Sequence, residues 1–362
     1  MDIYLVGGAV RDKLMNLPVT DHDWVVVGGT ENELLQKGYS RVGKDFPVFL
    51  HPKTKEEYAL ARIERKTATG HTGFVCDASE TVTLEQDLQR RDLTVNAIAK
   101  DEQGNLIDPY GGVEDLQNSV FRHVSKAFEE DPLRILRIAR FSARFPSFSI
   151  HPDTKILIVK MVSRDDLSEL APERIYMEID KALTSSSPSK FFNILDQVGA
   201  AEKLWPELGQ ETLPLLDELA SISNDREERL AALFWTLKKP IVVTLQERLK
   251  LPNHLVELAL QRVHYETWKS LDGLSAENIV KLLYDMDAFR RNERFQKLNA
   301  FFSTMSSIID KESSNQECKT KWLHFFEAVH SIQAKSFLAE YSGAALGKAM
   351  RAAQIKKVAN LI

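Results

Sequence analysis

Residues Leu5 to Gly28 read LVGGAVRDKLMNLPVTDHDWVVVG. The apolar start, from Ile3 to Val6, reads as a strand, and Gly7–Gly8 as a strand-to-helix turn. AVRDKLM (Ala9–Met15) has a helical pattern, and the β-branched DWVVVG (Asp23–Gly28) reads as a second strand. Side chains alternate along a strand, so Asp21 and Asp23 are expected on one face, ~6–7 Å apart, with His22 on the other. Two carboxylates so placed repel each other unless a cation offsets them. Phosphoryl-transfer enzymes use such a pair to hold two Mg²⁺ ions ~3.5–4 Å apart. At the turn, bare glycines let backbone amides approach a phosphate, with Gly8 opening the helix. Arg11, one turn on, is placed to clamp a phosphate oxygen. A Gly-Gly turn or an Asp-x-Asp pair is commonplace by itself; their succession within one strand–helix–strand unit points to polyphosphate chemistry. GGxxRD is not GxGxxG, which argues against a dinucleotide-binding oxidoreductase.

Outward from this stretch, further short strands follow in FPVFLH and EYALARI, then a polar segment, RKTATGHTGF (Arg65–Phe74), of loop character. Thr83 is a plausible N-cap for a helix running through TLEQDLQRRDLTVNAIA. Beyond Asp131 strand patterns nearly vanish and helical spacing dominates. The expected architecture is an α/β head with a small mixed sheet, followed by an all-α remainder: residues 1–140, a helical neck over 141–205, and a helical body and tail over 206–362. The 362 residues suit more than one core. Two distant cysteines, Cys76 and Cys318, suggest neither a disulfide framework nor a zinc site. No apolar run reaches the ~20 residues of a membrane span, and the N-terminus lacks a signal-peptide pattern, so a cytoplasmic protein is expected. The net charge of −5 disfavours nucleic acid unless basic residues are concentrated locally.

They are. In EEDPLRILRIARFSARF (Glu129–Phe145), ~100° per residue places Arg134, Arg137, Arg140 and Arg144 within an arc of about 120°. Ile135, Ile138, Ala139 and Phe145 take the opposite side. Arg is used four times and Lys never, which suits phosphate or base contacts.

Together, GGxxRD with DxD, RRDLTVNA (Arg90–Ala97), DPYGGVEDL (Asp108–Leu116) and EDPLR (Glu130–Arg134) resemble successive motifs of a known family. This is the class II tRNA nucleotidyltransferases and bacterial poly(A) polymerases of the polymerase β-like superfamily, and within it the bacterial CCA-adding enzymes. The resemblance covers residues 1 to about 180, where APERIYMEIDKAL (Ala171–Leu183) matches the neck, and thins beyond. It implies template-independent addition of C, C and A to the tRNA 3′ end from CTP and ATP, with release of pyrophosphate. Asp21 and Asp23 would be catalytic and bind Mg²⁺. Gly8, Arg11, Arg91, Arg137 and Arg140 would bind the nucleotide, and the pair Asp131–Arg134 would hydrogen-bond the edge of the base. Asn96 would lie near the sugar, Asp108–Leu116 would act as a hinge, and Arg65–Phe74 would correspond to the loop linked to the change from C to A addition. Glu57 matches a strand carboxylate that could complete the acidic cluster.

Longer relatives carry a phosphohydrolase domain with a His-Asp motif. Here ERLAALFWTLKKP places Trp235 and Thr236 at that point, and His264 remains as a possible remnant, so no second hydrolase activity is expected. The helical body should hold RNA instead. Between Leu346 and Ile362 there are four basic residues and no acidic one, which suits tRNA phosphates. A poly(A) polymerase or A-only enzyme is the alternative; Asp45, where polyadenylating members carry a basic residue, favours CCA addition. An inactive RNA-binding protein is a more distant alternative, disfavoured by the intact Asp-x-Asp. The oligomeric state is left open, with a monomer favoured.

Overall fold

The opening stretch folds as strand, turn, helix and strand in a computed structural model of the chain, which describes residues 1–43, 48–66, 74–271, 273–311 and 315–362. Strand β1 (Asp2–Val6) runs into Gly7, whose φ of 70° and backbone N–H bond to the Ile98 carbonyl turn the chain into α1 (Gly8–Leu14). Strand β2 (Asp23–Val27) then pairs antiparallel with β1. Only Asp23 of the Asp-x-Asp pair lies within the strand; Asp21 sits in the segment entering it.

Residues Met1–Pro206 form one unit and Glu207–Ile362 a second. In the first, α2 (Glu31–Gln36), β3 (Ser40–Val42), β4 (Val48–Leu50) and β5 (Glu57–Leu60) follow β2. Next come the hairpin β6 (Ile63–Lys66) and β7 (Phe74–Asp77), α3 (Leu84–Gln89), β8 (Ala99–Lys100) and β9 (Leu106–Ile107). The seven-stranded sheet has the order β3-β4-β5-β2-β1-β8-β9, and β2 and β5 run parallel. Alternation splits its core between two faces. Val6 and Val25 pack with Leu88 of α3, whereas Leu5 packs with Ala9 and Val10 of α1, and Val26 with Leu34 of α2.

The sequence reading carries one helix through Ala99. The structure ends α3 at Gln89, and only a single 3-10 turn, Thr94–Asn96, follows. Leu93, Val95, Ala97, Ile98 and Ala99 are all fully buried. A helix with one apolar face cannot bury consecutive residues on all sides, and the chain goes on into the two-sided sheet instead. Thr83 does cap α3, in a reciprocal box with Gln86. Helix α2 has the same device, Thr30 with Glu33, a signal the sequence reading passed over.

In the DPYGGVEDL segment, the Asp108 carboxylate accepts from the backbone N–H groups of Gly112 and Val113 at 2.7 and 2.8 Å, opening α4 (Gly112–Gln117). A Cβ on Gly112 would overlap the Thr94 carbonyl and crowd Ile98. Gly112→Ala is expected to cost about 1–3 kcal/mol, read as a lower urea midpoint at unchanged m-value. Strand β10 (Val120–Phe121) pairs with β11 (Ser149–Ile150), flanking α5 (Leu133–Arg144). Helices α6 (Pro152–Ser163), α7 (Pro172–Leu183), α8 (Ser189–Gln197) and α9 (Ala200–Leu204) complete this unit, with α5 packed on α7 and α8. Helix α5 runs unbroken through residue 140.

The second unit is helical: α10 (Leu213–Ile222), α11 (Arg226–Leu233), α12 (Lys239–Leu249), α13 (Asn253–Gln261), α14 (Tyr265–Lys269), α15 (Ala276–Asp285), α16 (Asn292–Asp310), α17 (Asn315–His330) and α18 (Gly343–Ala359). Its fully buried tryptophans have their indole N–H groups satisfied: Trp268 donates to Asn299 and Trp322 to the Trp268 carbonyl. Trp235 is buried edge-on against Tyr265 and Phe301, with the Arg262 guanidinium 4.8 Å above its ring, and Thr236 donates to Glu211. Among the described residues, no helix is long and apolar enough to cross a membrane.

Candidate active site

The Gly7 turn, the start of β2, the end of α3 and one face of α5 enclose a cleft of 580 Å³. Gly8, Arg11, Asp21, Asp23, Arg91, Asp131, Arg134, Arg137 and Arg140, all expected from the sequence to act at one site, all line it. Nine arginines and lysines face five aspartates there, so a chain of net charge −5 has a cationic cleft.

The acidic end is Asp21 and Asp23, both solvent-exposed. His22 points away and pairs with Glu56. The surrounding protein pushes the Asp23 carboxyl up, Arg91 opposes this, and Asp21 adds to the rise. Like-charged oxygen donors at the mouth of a cleft fit a hard divalent cation such as Mg²⁺. Glu57 is the register partner of Asp23 across β2 and β5, so it shares that face, and it borders a smaller recess with Asp23, Arg90 and Arg91.

At the turn, the constrained glycine is Gly7 rather than Gly8. A Cβ on Gly7 would lie 2.8 Å from Nη1 of Arg91, in addition to the positive φ; at Gly8 it would meet only ordinary contacts. Arg11 is 3 % exposed. Its Nε and Nη2 donate to Asp12 and its Nη1 to Asn96, and the guanidinium lies 5.2 Å from the ring centres of both Phe141 and Phe145. Arg11 therefore braces the floor of the cleft as well as facing it.

The cationic wall is the arginine face of α5. Ile135, Ile138 and Ala139 are buried on the opposite side, as the helical spacing predicts, whereas Phe145 follows the end of the helix and lies 4.9 Å beneath the Arg144 guanidinium instead. Arg137 pairs with Asp92 at 2.7 Å, and Arg140 pairs with the buried Glu178 of α7 while stacking on Phe141. Burial alone would raise the Asp92 carboxyl, but Arg137, the Asn96 amide and Arg134 together hold it well below the usual carboxylate range. Asn96 donates to Asp92 at 2.9 Å, across the single 3-10 turn Thr94–Asn96. Arg134 donates to the carbonyls of Ala127 and Arg90 at 2.8 and 2.6 Å. Asp131 accepts from Arg174 of α7 at 2.8 and 3.2 Å.

The family described as Poly A polymerase head domain matches residues 3–122, and the one described as Probable RNA and SrmB- binding site of polymerase A matches residues 147–211. A curated CCA-adding enzyme of Coxiella burnetii is 43 % identical over 366 residues, covering 100 % of this chain and 96 % of its own. The chain belongs to the CCA-adding enzymes. A Multifunctional CCA protein of Mannheimia succiniciproducens is 44 % identical over 344 residues, covering 82 % of each chain. The Bacillus stearothermophilus CCA-adding enzyme, solved in complex with CTP, shares the fold at 24 % identity, with a TM-score of 0.73 over 99 % of this chain and 89 % of its own.

In this CCA-adding enzyme the sequence reading missed Arg174 and Lys181, which both line the cleft from α7. Their spacing of seven puts them on one helix face, a signal present in Ala171–Leu183. Phe141 was missed because an aromatic in an arginine stripe reads as core; here it is the surface on which Arg137 and Arg140 lie.

Proposed function

We propose that the cleft binds CTP and ATP in turn and joins their nucleoside monophosphates to a tRNA 3′ end as C, C and A. The observation that carries this reading is the convergence of an exposed aspartate pair, a glycine turn and an arginine wall on one cleft. In it, the tRNA 3′ oxygen attacks the α-phosphorus, the bond to the bridging oxygen breaks, and pyrophosphate leaves. Divalent ions held by Asp21 and Asp23, with Mg²⁺ the natural occupant, would lower the pKa of the attacking hydroxyl and offset charge on the leaving group. Gly8, Arg11, Arg91, Arg137 and Arg140 serve the nucleotide, the guanidiniums and backbone amides offsetting the negative charge of its phosphates. Asp131 and Arg134 read the base: the carboxylate accepts from an exocyclic amine and the guanidinium donates to ring acceptors, a set that cytosine and adenine both satisfy. Arg174 and two backbone carbonyls hold these side chains in place before a base arrives. Glu57, the register partner of Asp23, shares its face of the sheet, but among the described residues no group of three or more His, Cys, Asp or Glu side chains is placed to hold a metal ion together.

In this reading residues 1–140 supply the chemistry, 141–205 form a neck that continues base recognition from Asp131, and 206–362 hold tRNA. Lys348, Arg351, Lys356 and Lys357 of α18 supply phosphate contacts. Trp235, at the point where longer relatives carry the His-Asp motif, packs among aromatic rings beneath Arg262, which favours a body without hydrolase chemistry. Asp45 and most of the Arg65–Phe74 loop lie outside the described residues.

The deciding experiment incubates the protein with Mg²⁺, labelled CTP or ATP, and tRNAs lacking CCA, CA or A. Completion of all three ends is expected. Long A tails, or A addition alone, would replace this reading with a polyadenylating or A-only enzyme, and no incorporation would favour an RNA-binding protein. Arg134→Ala is expected to relax discrimination against UTP and GTP by roughly tenfold or more, with a smaller change in triphosphate affinity. Equal weakening for all four nucleotides would count against base reading by Arg134.

A further inference from the structure

Asp87 belongs to none of the motifs above, and its side chain is fully buried on α3. Its Oδ1 accepts from the Arg62 backbone N–H at 3.2 Å and from Nε and Nη2 of Arg90 at 3.1 and 2.7 Å. Its Oδ2 accepts from Nη2 of Arg91 at 3.3 Å. Arg90 Nε also donates to the Arg62 carbonyl at 3.1 Å, so the Asp87–Arg90 pair grips both backbone polar groups of Arg62, immediately before β6. Two lines run from this carboxylate into the cleft. Through Arg91 it reaches Gly7 and Asp23: Nη1 of Arg91 lies 2.8 Å from where a Gly7 Cβ would be, Arg91 draws the Asp23 carboxyl down, and the Arg91 Nε is buried with no hydrogen-bond partner among the described residues. Through Arg90 it reaches Arg134, whose Nη2 donates to the Arg90 carbonyl at 2.6 Å.

We propose that Asp87 is a positioning residue for both halves of the nucleotide site, setting Arg91 beside the aspartates and, through Arg90, the carbonyl that anchors Arg134. The role rests on the function proposed above. It makes triphosphate binding and choice of base depend on one buried carboxylate that touches neither. The same carboxylate ties both to the point where the β6–β7 hairpin leaves the sheet. Burial alone would raise this carboxyl, but Arg90 and Arg91 hold it below the usual range, so it is charged at neutral pH.

Asp87→Asn tests this. The amide oxygen can still accept from Arg62 and Arg90, but the new NH₂ group meets Nη2 of Arg91 donor against donor. The expected result is a KM for CTP and for ATP raised roughly tenfold, with kcat changed less, and UMP incorporated in place of CMP severalfold more often. A purely structural role would lower kcat in proportion to the folded fraction, measured by circular dichroism, at unchanged KM and unchanged nucleotide choice; that outcome overturns the proposal. Should Asp87→Asn not fold, Arg90→Gln takes its place. Arg90 is partly exposed, and its backbone carbonyl survives while the grip on Arg62 is cut. Relaxed nucleotide choice is expected in Arg90→Gln, and wild-type choice there overturns the link to Arg134. An active wild-type enzyme with indifferent variants refutes this role alone, whereas an inactive wild type refutes the proposed function and this role with it.

Discussion

Asp21→Ala is expected to lower CMP and AMP incorporation by at least about a thousandfold, with an unchanged melting temperature. The two halves of this expectation have separate physical grounds. Asp21 is exposed, lies outside β2, and its side chain takes part in one weak local contact, 3.3 Å from the Thr20 hydroxyl, so the fold gains little from it. The site depends on it heavily, because among the described residues a cleft lined by nine cationic side chains has only Asp21 and Asp23 as paired, exposed oxygen donors at its acidic end. Stability is read by thermal melting and activity by single-turnover incorporation of labelled nucleotide. A variant that keeps more than a tenth of wild-type activity would mean that the acidic pair does not hold the metal ions.

Arg11→Ala is expected to behave in the opposite way, failing first in stability. Removing one partner of a buried ion pair leaves the other uncompensated, at a cost of about 3–5 kcal/mol. Here Arg144 still reaches Asp12 at 2.8 Å, which places the expected loss near the lower figure. Two ring contacts and the bond to Asn96 go with it. For a unit of this size, about 3 kcal/mol corresponds to a melting temperature lower by roughly 6–12 °C. The control is Arg144→Ala: that side chain is 40 % exposed, and its loss should cost only about 0–1 kcal/mol. Equal destabilisation by the two variants would show that Arg11 is not the brace its burial implies. Loss of nucleotide affinity in Arg11→Ala at temperatures where it stays folded would show its phosphate-binding share.

The comparison of these two residues shows what a sequence can and cannot tell. Both stand in the same short stretch, and spacing alone assigned both to a polyphosphate site. Local pattern correctly placed the strand, the glycine turn, α1 and the one-sided arginine helix, because periods of two and of about 3.6 are set by backbone geometry within a few residues. It failed across Arg90–Ala99, where the all-round burial of Leu93 to Ala99 depends on layers contributed by distant segments. It also failed to find Arg174, whose partner Asp131 is 43 residues away.

By itself, then, the sequence determined the identity and local placement of the chemical groups: two carboxylates near a glycine turn, four arginines on one helix face, and a change from mixed α/β to helical character near Asp131. Only the tertiary structure decided which of these groups are available to a ligand and which brace one another. Arg11 became a buried strut, Gly7 rather than Gly8 became the constrained glycine because Arg91 lies against it, and Asp87 became the carboxylate on which Arg90 and Arg91 converge. The physical reason is that burial and ion pairing are set by neighbours far away in sequence. The chemistry of a side chain is written where it stands in the chain, but whether its charge faces solvent, a ligand or another side chain is fixed only when the layers pack.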